Sequence, residues 1–148
     1  MNASPTTALV TLVTLSVDDQ LCGIPVEDVR DVLGARTITR IPLAPPEIAG
    51  NLNLRGRIVT ALDVRRRLDL APADPDTPRM SLVTEHKGEL YALVVDSVRE
   101  VIALPVDGFE PNPPTLPLAW AQHSTGIFQL PEGLLMTLDV SRLLDLSR

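Results

Sequence analysis

The residues best suited to metal binding or catalysis are few and far apart. His86 and His123 are the only histidines, 37 residues apart, and neither has a cysteine or carboxylate at metal-ligand spacing. We therefore interpret both as surface-loop residues and predict no metal site. Cys22 is the only cysteine, which excludes an internal disulfide, and it lies in a strand-like run. We predict that it is a small buried residue in a protein of a reducing compartment.

Sequence motifs for nucleotide binding and for nucleophilic catalysis are also missing. A phosphate-binding loop would need Ser or Thr after its lysine, but Lys87 is followed by Gly88 and Glu89. The chain contains neither a Gly-x-Gly-x-x-Gly nor a Gly-x-Ser-x-Gly sequence. Ser124 follows His123, but neighbours in sequence rarely form a nucleophile and its base. We expect a protein that is not an enzyme and uses no cofactor.

Charge and hydropathy exclude two further classes of function. The formal net charge is -6, and such an acidic surface repels a nucleic-acid backbone. No apolar run reaches the roughly 18 to 20 residues that span a bilayer, so we expect no direct membrane insertion. The apolar segment 8–15 has no basic residue before it and two aspartates soon after it, unlike a signal peptide. We expect a cytoplasmic protein.

The hydrophobic pattern predicts short strands. Apolar residues recur at every second position in runs bounded by Gly, Pro, Asp or Asn, which is typical of half-buried strands. Residues 10–17 form the first run, which turns at 18–20, and runs 81–84 and 90–95 flank a turn at 85–89. Fourteen prolines argue against long helices. The chain is predicted to be mainly β.

An internal repeat is the most informative feature of the sequence. Residues 22–33 align with residues 91–102 at an offset of 69, and the charges at matched positions almost all keep their sign. Residues 62–70 align with residues 138–146 at an offset of 76, and the same offset places Gly50 on Gly126. We therefore predict two units of about seventy residues, 8–78 and 79–148, separated by the Pro-rich and Asp-rich linker 71–78.

The end of each unit indicates the fold of that unit. Asp63 and Asp139 could be an acid and base pair, but their matched positions favour a shared structural role. Each carboxylate is placed to cap a short helix, 64–70 or 140–146. About five strands and one short helix per unit predict two SH3-like five-stranded β-barrels related by a pseudo-two-fold repeat. The sequence does not decide which barrel the first strand joins.

Positions at which the units differ are the better guide to function, because shared features serve the shared fold. Asn53-Leu54-Arg55-Gly56 falls on Gln129-Leu130-Pro131-Glu132 in the second unit, so Arg55 has no counterpart. Gly56 permits a turn with unusual dihedral angles that leaves the guanidinium free to bind carboxylates or carbonyls. The run Arg65-Arg66-Arg67 is interpreted as a solvated helix face, and the alternative is a site for an acidic patch on a partner.

These motifs resemble those of one known family. Segment 50–65, which contains Asn53-Leu54-Arg55-Gly56, closely resembles the Asn-Leu-Arg-Gly signature of CheW-like domains. Segment 91–104 is similar to the second-barrel segment of that family, and segments 126–128 and 134–139 are similar to its closing strands. The resemblance extends from about residue 10 to residue 146.

The resemblance implies a chemotaxis adaptor. It would couple the cytoplasmic tip of methyl-accepting receptors to the regulatory domain of the histidine kinase CheA, in arrays at the inner membrane. No receiver or kinase domain is present, so we expect a free-standing coupler. The receptor-facing positions that the resemblance implies are Val29, Asp31, Gly50, Arg55, Val101 and Ile102. No motif marks the kinase-facing surface.

Two alternatives stay open at this point. One is a CheW-like scaffold of a non-flagellar chemosensory pathway, for pilus motility or second-messenger control. The other is a small ligand sensor that uses the cleft between the barrels. A sensor would need convergent polar groups with perturbed pKa values, and the sequence indicates no such cluster.

Overall fold

The structure is a computed structural model that describes residues 8–146. In this range the chain forms strands, three short α-helices and two single 3-10 turns. The strands are β1 (Leu9–Val17), β2 (Gln20–Pro25), β3 (Asp31–Leu33), β4 (Ile48–Leu54), β5 (Arg57–Asp63), β6 (Met80–His86), β7 (Glu89–Val95), β8 (Ser97–Pro105), β9 (Phe109–Glu110), β10 (Ser124–Leu130) and β11 (Gly133–Leu138). The helices are α1 (Val64–Arg67), α2 (Leu118–His123) and α3 (Val140–Leu144), and the 3-10 turns are Val26–Asp28 and Val106–Gly108.

The strands form two sheets with matching plans. The first sheet has the order β3-β6-β7-β5-β4, and the second has the order β8-β1-β2-β11-β10-β9. One parallel pair lies inside each sheet, β5 with β7 and β2 with β11, and the other pairs are antiparallel. The second sheet has six strands because β9 pairs with β10, whereas the first sheet keeps only an isolated bridge between Thr39 and Asn51 at that place. We call them the first and second barrels. The prediction of two repeated β-barrels with short helices is confirmed.

The two units exchange their opening hairpins. Hairpin β1–β2 pairs with β8 and β11 of the second unit, and hairpin β6–β7 pairs with β3 and β5 of the first. The first strand therefore belongs to the second barrel. The division of the chain near Pro78, which the repeat predicts, does not coincide with the division between the sheets, since both sheets take strands from both sides of Pro78.

Burial on both faces explains why the first hairpin lies where it does. Alternate residues of a strand point to opposite faces of the sheet. Val13, Leu15 and Val17 face a core between the barrels, while Leu12 packs with Phe128 inside the second barrel. A strand with apolar residues on both faces is most stable where both faces are covered. In the second barrel, one face of β1 packs on the shared core and the other on the barrel interior.

Three clusters of buried side chains fill the molecule. The shared core between the barrels includes Ile24, Leu62, Leu82, Leu93 and Leu143. The interior of the first barrel contains Leu33, Leu52, Leu54, Val59, Ala61, Val83, Ala92 and Val94. The interior of the second barrel contains Leu12, Phe128 and Leu135, with partly buried apolar residues around them. The shared core joins the two barrels into one packed body.

Local features agree closely with the sequence analysis. The first predicted strand and the hairpin around residues 85–89 are present, and the latter turns at Lys87-Gly88. Asp63 and Asp139 cap α1 and α3 as predicted, accepting hydrogen bonds from the backbone N–H of Arg65 and Arg142 at 3.0 and 3.2 Å. Both helices are shorter than expected, and α2 was not predicted. No described helix is long and apolar enough to cross a membrane.

Candidate binding surface

The β4–β5 turn presents Arg55 to solvent. Arg55 and Gly56 are its central residues, and both have positive φ values, 52° and 84°, as a two-residue type I′ hairpin requires. The side chain of Asn53 accepts a hydrogen bond from the Gly56 backbone N–H at 2.9 Å, which fixes the turn. The Arg55 side chain keeps 80% of its surface exposed. The unusual dihedral angles expected at Gly56 are therefore present, and they direct the guanidinium outward.

Arg55 is oriented by a carboxylate from the opposite edge of the first sheet. Its Nη2 donates a hydrogen bond to Asp31 Oδ2 at 3.1 Å. Asp31 begins β3 and Arg55 follows β4, and these strands are the two edges of the sheet, so the ion pair joins the seam at which the barrel closes. An ion pair this exposed contributes only about 0 to 1 kcal/mol to stability. The hydrogen bond favours an orientation of the guanidinium toward Asp31 and leaves it accessible.

Val101 and Ile102 are neighbours on β8 that point in opposite directions. Ile102 lies opposite Leu12 and packs against the second-barrel interior, where it is half-buried. Val101 lies opposite Val13, a residue of the shared core, yet keeps 57% of its surface exposed. Of the two, Val101 presents an apolar side chain to solvent, at the edge of the face that carries the shared core.

Val29 and Gly50 are less accessible than Arg55 and Val101. Val29 is half-buried against the shared core. Gly50 is buried, and a Cβ atom at its position would lie 2.1 Å from the backbone oxygen of Thr39. Gly126 has the same relation to the backbone oxygen of Glu110, at 2.6 Å, so the glycine shared by the repeats allows a close crossing of two backbone segments.

Sequence reasoning missed Val32, which the structure places like Val101. Val32 lies opposite Leu82 of the shared core and is 41% exposed, at the edge of the first barrel. An offset of 69 residues takes Val32 to Val101, so the repeat itself carried the signal. The two barrels therefore each offer one exposed valine from an edge strand.

The predicted positions of both histidines were wrong. His123 is the last residue of α2 and is only 6% exposed, with Nδ1 bonded to the Ala119 carbonyl at 2.7 Å. Burial lowers the pKa of His123, the bond to Ala119 opposes this, and the charges of Arg67 and Arg142 lower the pKa further. His86 ends β6, half-buried, with its ring packed edge-on against Tyr91. Both side chains are packing residues on regular elements.

The other groups considered for chemistry are occupied by structural contacts. The Ser124 hydroxyl donates to Asn112 Oδ1 and to the Gly126 carbonyl, so its position next to a histidine is incidental. Cys22 is fully buried as predicted, and burial raises the pKa of its thiol to about 12. Among residues 8–146, no group of three or more His, Cys, Asp and Glu side chains is arranged to hold a metal ion.

The run Arg65-Arg66-Arg67 is not the solvated helix face that the sequence indicated. Arg65 binds Asp96 through two hydrogen bonds of 2.8 Å, and its side chain is 16% exposed. Arg67 donates to the backbone carbonyl of Leu143 at 2.9 Å, at the C-terminal end of α3. Only Arg66 is exposed. Two of the three arginines therefore connect parts of the molecule.

Two cavities of the described structure are lined by no group with a shifted pKa. A cavity of about 570 Å³ lies between the loop of residues 40–46, Ile48, Ala49 and Arg66. A second of about 260 Å³ opens at the end of the second barrel beside Phe109 and Phe128. None of the described groups with a shifted pKa lines either one. The described surface is thus suited to binding through Arg55 and the exposed valines.

Comparison with known proteins identifies the family of the chain. The CheW-like domain model matches residues 11–148. The chemotaxis protein CheW of Klebsiella aerogenes is 30% identical over 122 residues, covering 82% of this chain and 74% of that protein. Protein FrzA of Myxococcus xanthus is 34% identical over 114 residues, covering 76% of this chain and 70% of FrzA.

A solved structure has the same fold. The crystal structure of the scaffolding protein TtCheW from Thermoanaerobacter tengcongensis matches with a TM-score of 0.84 and 26% sequence identity, over 95% of each chain. The family match, the relatives and the fold all agree with the prediction of an adaptor that is not an enzyme. The chain belongs to the CheW-like domain family of chemotaxis scaffolding proteins.

Proposed function

We propose that this chain couples methyl-accepting receptors to the histidine kinase CheA in a cytoplasmic chemosensory array. The observation that carries the proposal is Arg55, which is 80% exposed, oriented by Asp31, and without a counterpart in the second repeat. A residue that is present in only one repeat is not needed for the fold that both repeats share. Since Arg55 is also exposed and hydrogen-bonded to Asp31, it is suited to binding a partner. CheW-like relatives are consistent with a scaffolding role.

The receptor is the partner that fits this surface. Its cytoplasmic tip is helical, and a helix that presents aliphatic side chains would dock on Val32 and Val101, the exposed valines of the two barrels. Arg55 and Asp31 would fix the register of that helix through polar contacts. Val29 and Ile102, both half-buried, would shape the surface beneath it.

Gly50, the remaining predicted position, would contribute through its backbone and not through a contact with the receptor. Gly50 is buried and would contribute only the close approach of its strand to Thr39. The CheA regulatory domain would bind elsewhere on the barrels, and no described residue is assigned to it. If receptor and kinase prefer different placements of the two barrels, binding of one changes the affinity for the other by about 1 to 3 kcal/mol.

Replacing Arg55 by alanine tests the receptor assignment. Arg57→Ala is a matched control, because Arg57 lies on the same hairpin, is exposed, and has no side-chain partner among the described residues. Pull-down with a receptor cytoplasmic fragment and with CheA, and kinase activation in reconstituted arrays, are the measurements. We expect Arg55→Ala to weaken receptor binding about 10-fold or more, as for a contact residue worth over 1 kcal/mol.

The same variant should leave folding and CheA binding nearly unchanged, because the ion pair it removes is exposed. Arg57→Ala should bind both partners like the wild type. Equal receptor binding by Arg55→Ala and by the wild type, with full kinase activation, would remove Arg55 from the receptor site and leave the proposal without its main support.

A second candidate function is a scaffold for another chemosensory pathway. The similarity to FrzA is as high as the similarity to the CheW of Klebsiella aerogenes, so sequence identity does not favour a chemotaxis pathway. Capture of partners from the native cell separates the two. Recovery of a CheA that controls the flagellum supports the first, and recovery of only a different histidine kinase supports the second.

A further inference from the structure

The chain passes between the two barrels twice within residues 8–146. It leaves the second barrel after β2 and enters the first at β3, through residues 26–30. It returns between β7 and β8 through a single residue, Asp96. We call these the first and second crossings. The offset of 69 residues places Glu27 of the first crossing on Asp96, so the two crossings are equivalent points of the repeat.

The second crossing is held by both barrels. Arg65 of α1, at the end of the first barrel, donates from Nε and Nη2 to the two carboxylate oxygens of Asp96, both at 2.8 Å. The backbone N–H of Asp18, in the β1–β2 turn of the second barrel, donates to Asp96 Oδ2 at 2.7 Å. Paired guanidinium bonds of this kind fix geometry as well as charge. We call the group Arg65, Asp96 and Asp18 the clamp.

Burial and charge agree with a tightly held clamp. The side chains of Arg65 and Asp96 are 16% and 23% exposed. Burial raises the pKa of Asp96, but the bonds from Arg65 and Asp18 and the charge of Arg65 outweigh it, so the pKa lies below its usual value. The Asp96 backbone N–H also donates to the Ser16 carbonyl at 3.1 Å. The crossing residue is thus bonded through both its side chain and its backbone.

The first crossing is tied to the first barrel only at its end, where the Arg30 backbone N–H donates to the Val83 carbonyl at 2.7 Å and the Arg30 side chain lies 3.8 Å from Glu85, and it has no side-chain clamp between the barrels. Position 141 corresponds to Arg65, and it holds an exposed serine. Glu27 is exposed, and none of the three residues of the 3-10 turn Val26–Asp28 is buried. No side-chain hydrogen bond of Glu27 is present within the described residues. The repeat has therefore kept a carboxylate at both crossings and the guanidinium at only one.

We propose that the clamp, together with the bonds from Arg67 of the same helix to the Arg142 and Leu143 carbonyls of α3, makes the contact between α1 and Asp96 the pivot for any change in the relative placement of the barrels, and that the first crossing is the part that moves. The first crossing contains Val29 and leads directly into Asp31, and both are proposed receptor-facing positions. Binding of a receptor helix there changes the conformation of the first crossing, while the contact between Arg65 and Asp96 is kept. Arg65 is then a positioning residue that converts receptor binding into a defined rotation; this last step rests on the proposed function.

Spin labels in the two barrels test the pivot without any partner. Lys87→Cys lies in the β6–β7 turn of the first barrel and Glu132→Cys in the β10–β11 turn of the second, and both sites are exposed. Cys22 is fully buried, so the labels go to the introduced sites. We compare the distance distribution in the parent, in Arg65→Met and in Arg66→Met. Arg66 is a matched control, since it is exposed and has no partner among residues 8–146.

We expect the parent and Arg66→Met to give the same narrow distribution and Arg65→Met to give a distribution at least twice as wide. Unchanged width in a folded Arg65→Met would overturn the pivot. If Arg65→Met does not fold, Arg65→Lys keeps the charge but loses the paired bonds, and the same comparison applies to it. Broadening in Arg65→Lys would support the pivot, and no broadening would contradict it.

A linkage measurement tests the role in coupling. The affinity for the CheA regulatory domain is measured with and without a receptor fragment, and the ratio of the two affinities is the coupling. We expect Arg65→Met to bring this ratio close to one while each separate affinity changes less than about threefold. A ratio equal to that of the parent would overturn the positioning role. If the parent itself gives a ratio of one, the protein does not couple the two sites and the proposed function fails in that respect. A widened label distribution in Arg65→Met would still support the pivot.

Discussion

The two barrels come from one repeat, yet their interiors are held together differently. The first barrel is filled by eight buried aliphatic side chains, whereas only Leu12, Phe128 and Leu135 are fully buried within the second. The second interior also contains hydroxyls, and each has a partner: Thr14 donates to the Glu100 carbonyl and Thr137 to the Gly126 carbonyl. The repeat therefore accepts a hydroxyl in a barrel interior where a backbone carbonyl lies within hydrogen-bonding distance. Matched positions should therefore respond differently to the same substitution.

The largest difference is expected at the matched glycines. In Gly50→Ala the new Cβ would meet the backbone of Thr39 at 2.1 Å, and backbone atoms cannot move aside cheaply. We expect a loss of about 3 kcal/mol or more of unfolding free energy, from steric strain in a packed site. In Gly126→Ala the nearest atom, at 2.3 Å, belongs to the ring of Phe109, which is 42% exposed and able to move, and the nearest backbone atom is the Glu110 oxygen at 2.6 Å, farther away than the 2.1 Å contact at Gly50. A loss of about 1 to 3 kcal/mol is expected there.

Urea unfolding followed by circular dichroism measures both losses. Gly34→Ala is the control, because nothing lies within 4 Å of a Cβ at that position, and it should change the unfolding free energy by less than about 0.5 kcal/mol. Equal losses at the two matched glycines would contradict the expected difference, and would show that the close approach to the Glu110 backbone, not the Phe109 ring, sets the cost at Gly126.

A smaller difference is expected at the matched helix caps. Asp63 caps α1 and also accepts a hydrogen bond from Arg79 at 3.1 Å, with side-chain exposures of 12% and 22% for the pair. Asp139 caps α3, and its ion pair with Arg142 is longer, 3.5 Å, and more exposed. Asp63→Ala should cost about 2 to 3 kcal/mol, a cap plus a partly buried charged bond. Asp139→Ala should cost only about 1 kcal/mol, the cap alone.

Thermal and chemical denaturation of the two variants measures these costs, and the double variant Asp63→Ala/Arg79→Met separates the two contributions. In the Arg79→Met background, Asp63→Ala should cost about as much as Asp139→Ala. If Asp63→Ala remains twice as costly there, the difference between the caps does not come from Arg79.

The smallest effect should be a gain in stability at Thr84. Its hydroxyl is fully buried and has no hydrogen-bond partner among the described residues, while the matched position in the second barrel is Leu15 in the shared core. Thr84→Val removes an unsatisfied polar atom and keeps the side-chain shape, so we expect about 1 kcal/mol of added stability. The melting temperature, measured beside that of Thr60→Val on the partly exposed face of β5, checks it. A fall in the melting temperature of Thr84→Val would contradict the unpaired state of this hydroxyl.

Local features were predictable because local chemistry decides them. Alternating apolar residues defined the strands, the Asn-Leu-Arg-Gly turn had to accommodate positive φ values, and an aspartate before a helix is a cap wherever the chain goes. Arg55 stood out since the second repeat lacks it. The exposure of Val32 could also have been predicted, because the repeat aligns Val32 with Val101. It was missed because the family motifs indicated Val101 and not Val32.

Long-range pairing was not predictable from the same pattern. Hairpin β1–β2 is apolar on both faces, so its alternation fits either barrel, and only the packed molecule shows which one takes it. Arg65 and Arg67 looked solvated because their partners, Asp96 and the carbonyls at the end of α3, are 31 or more residues away in sequence. His123 was misplaced for a related reason: the short helix that buries it follows a proline and has no capping side chain.

Exchange of the opening hairpins also sets the order in which the molecule can be completed during synthesis. All strands of the first barrel lie in one continuous stretch, Asp31 to Val95, which is free to close as soon as it has left the ribosome. The hairpin β1–β2 is synthesised before them but pairs with β8 and β11. Leu12 can therefore pair with Ile102 only after about 90 further residues have been synthesised. During that interval the apolar side chains of the hairpin are open to any neighbouring chain, until β8 and β11 have been made and pair with it.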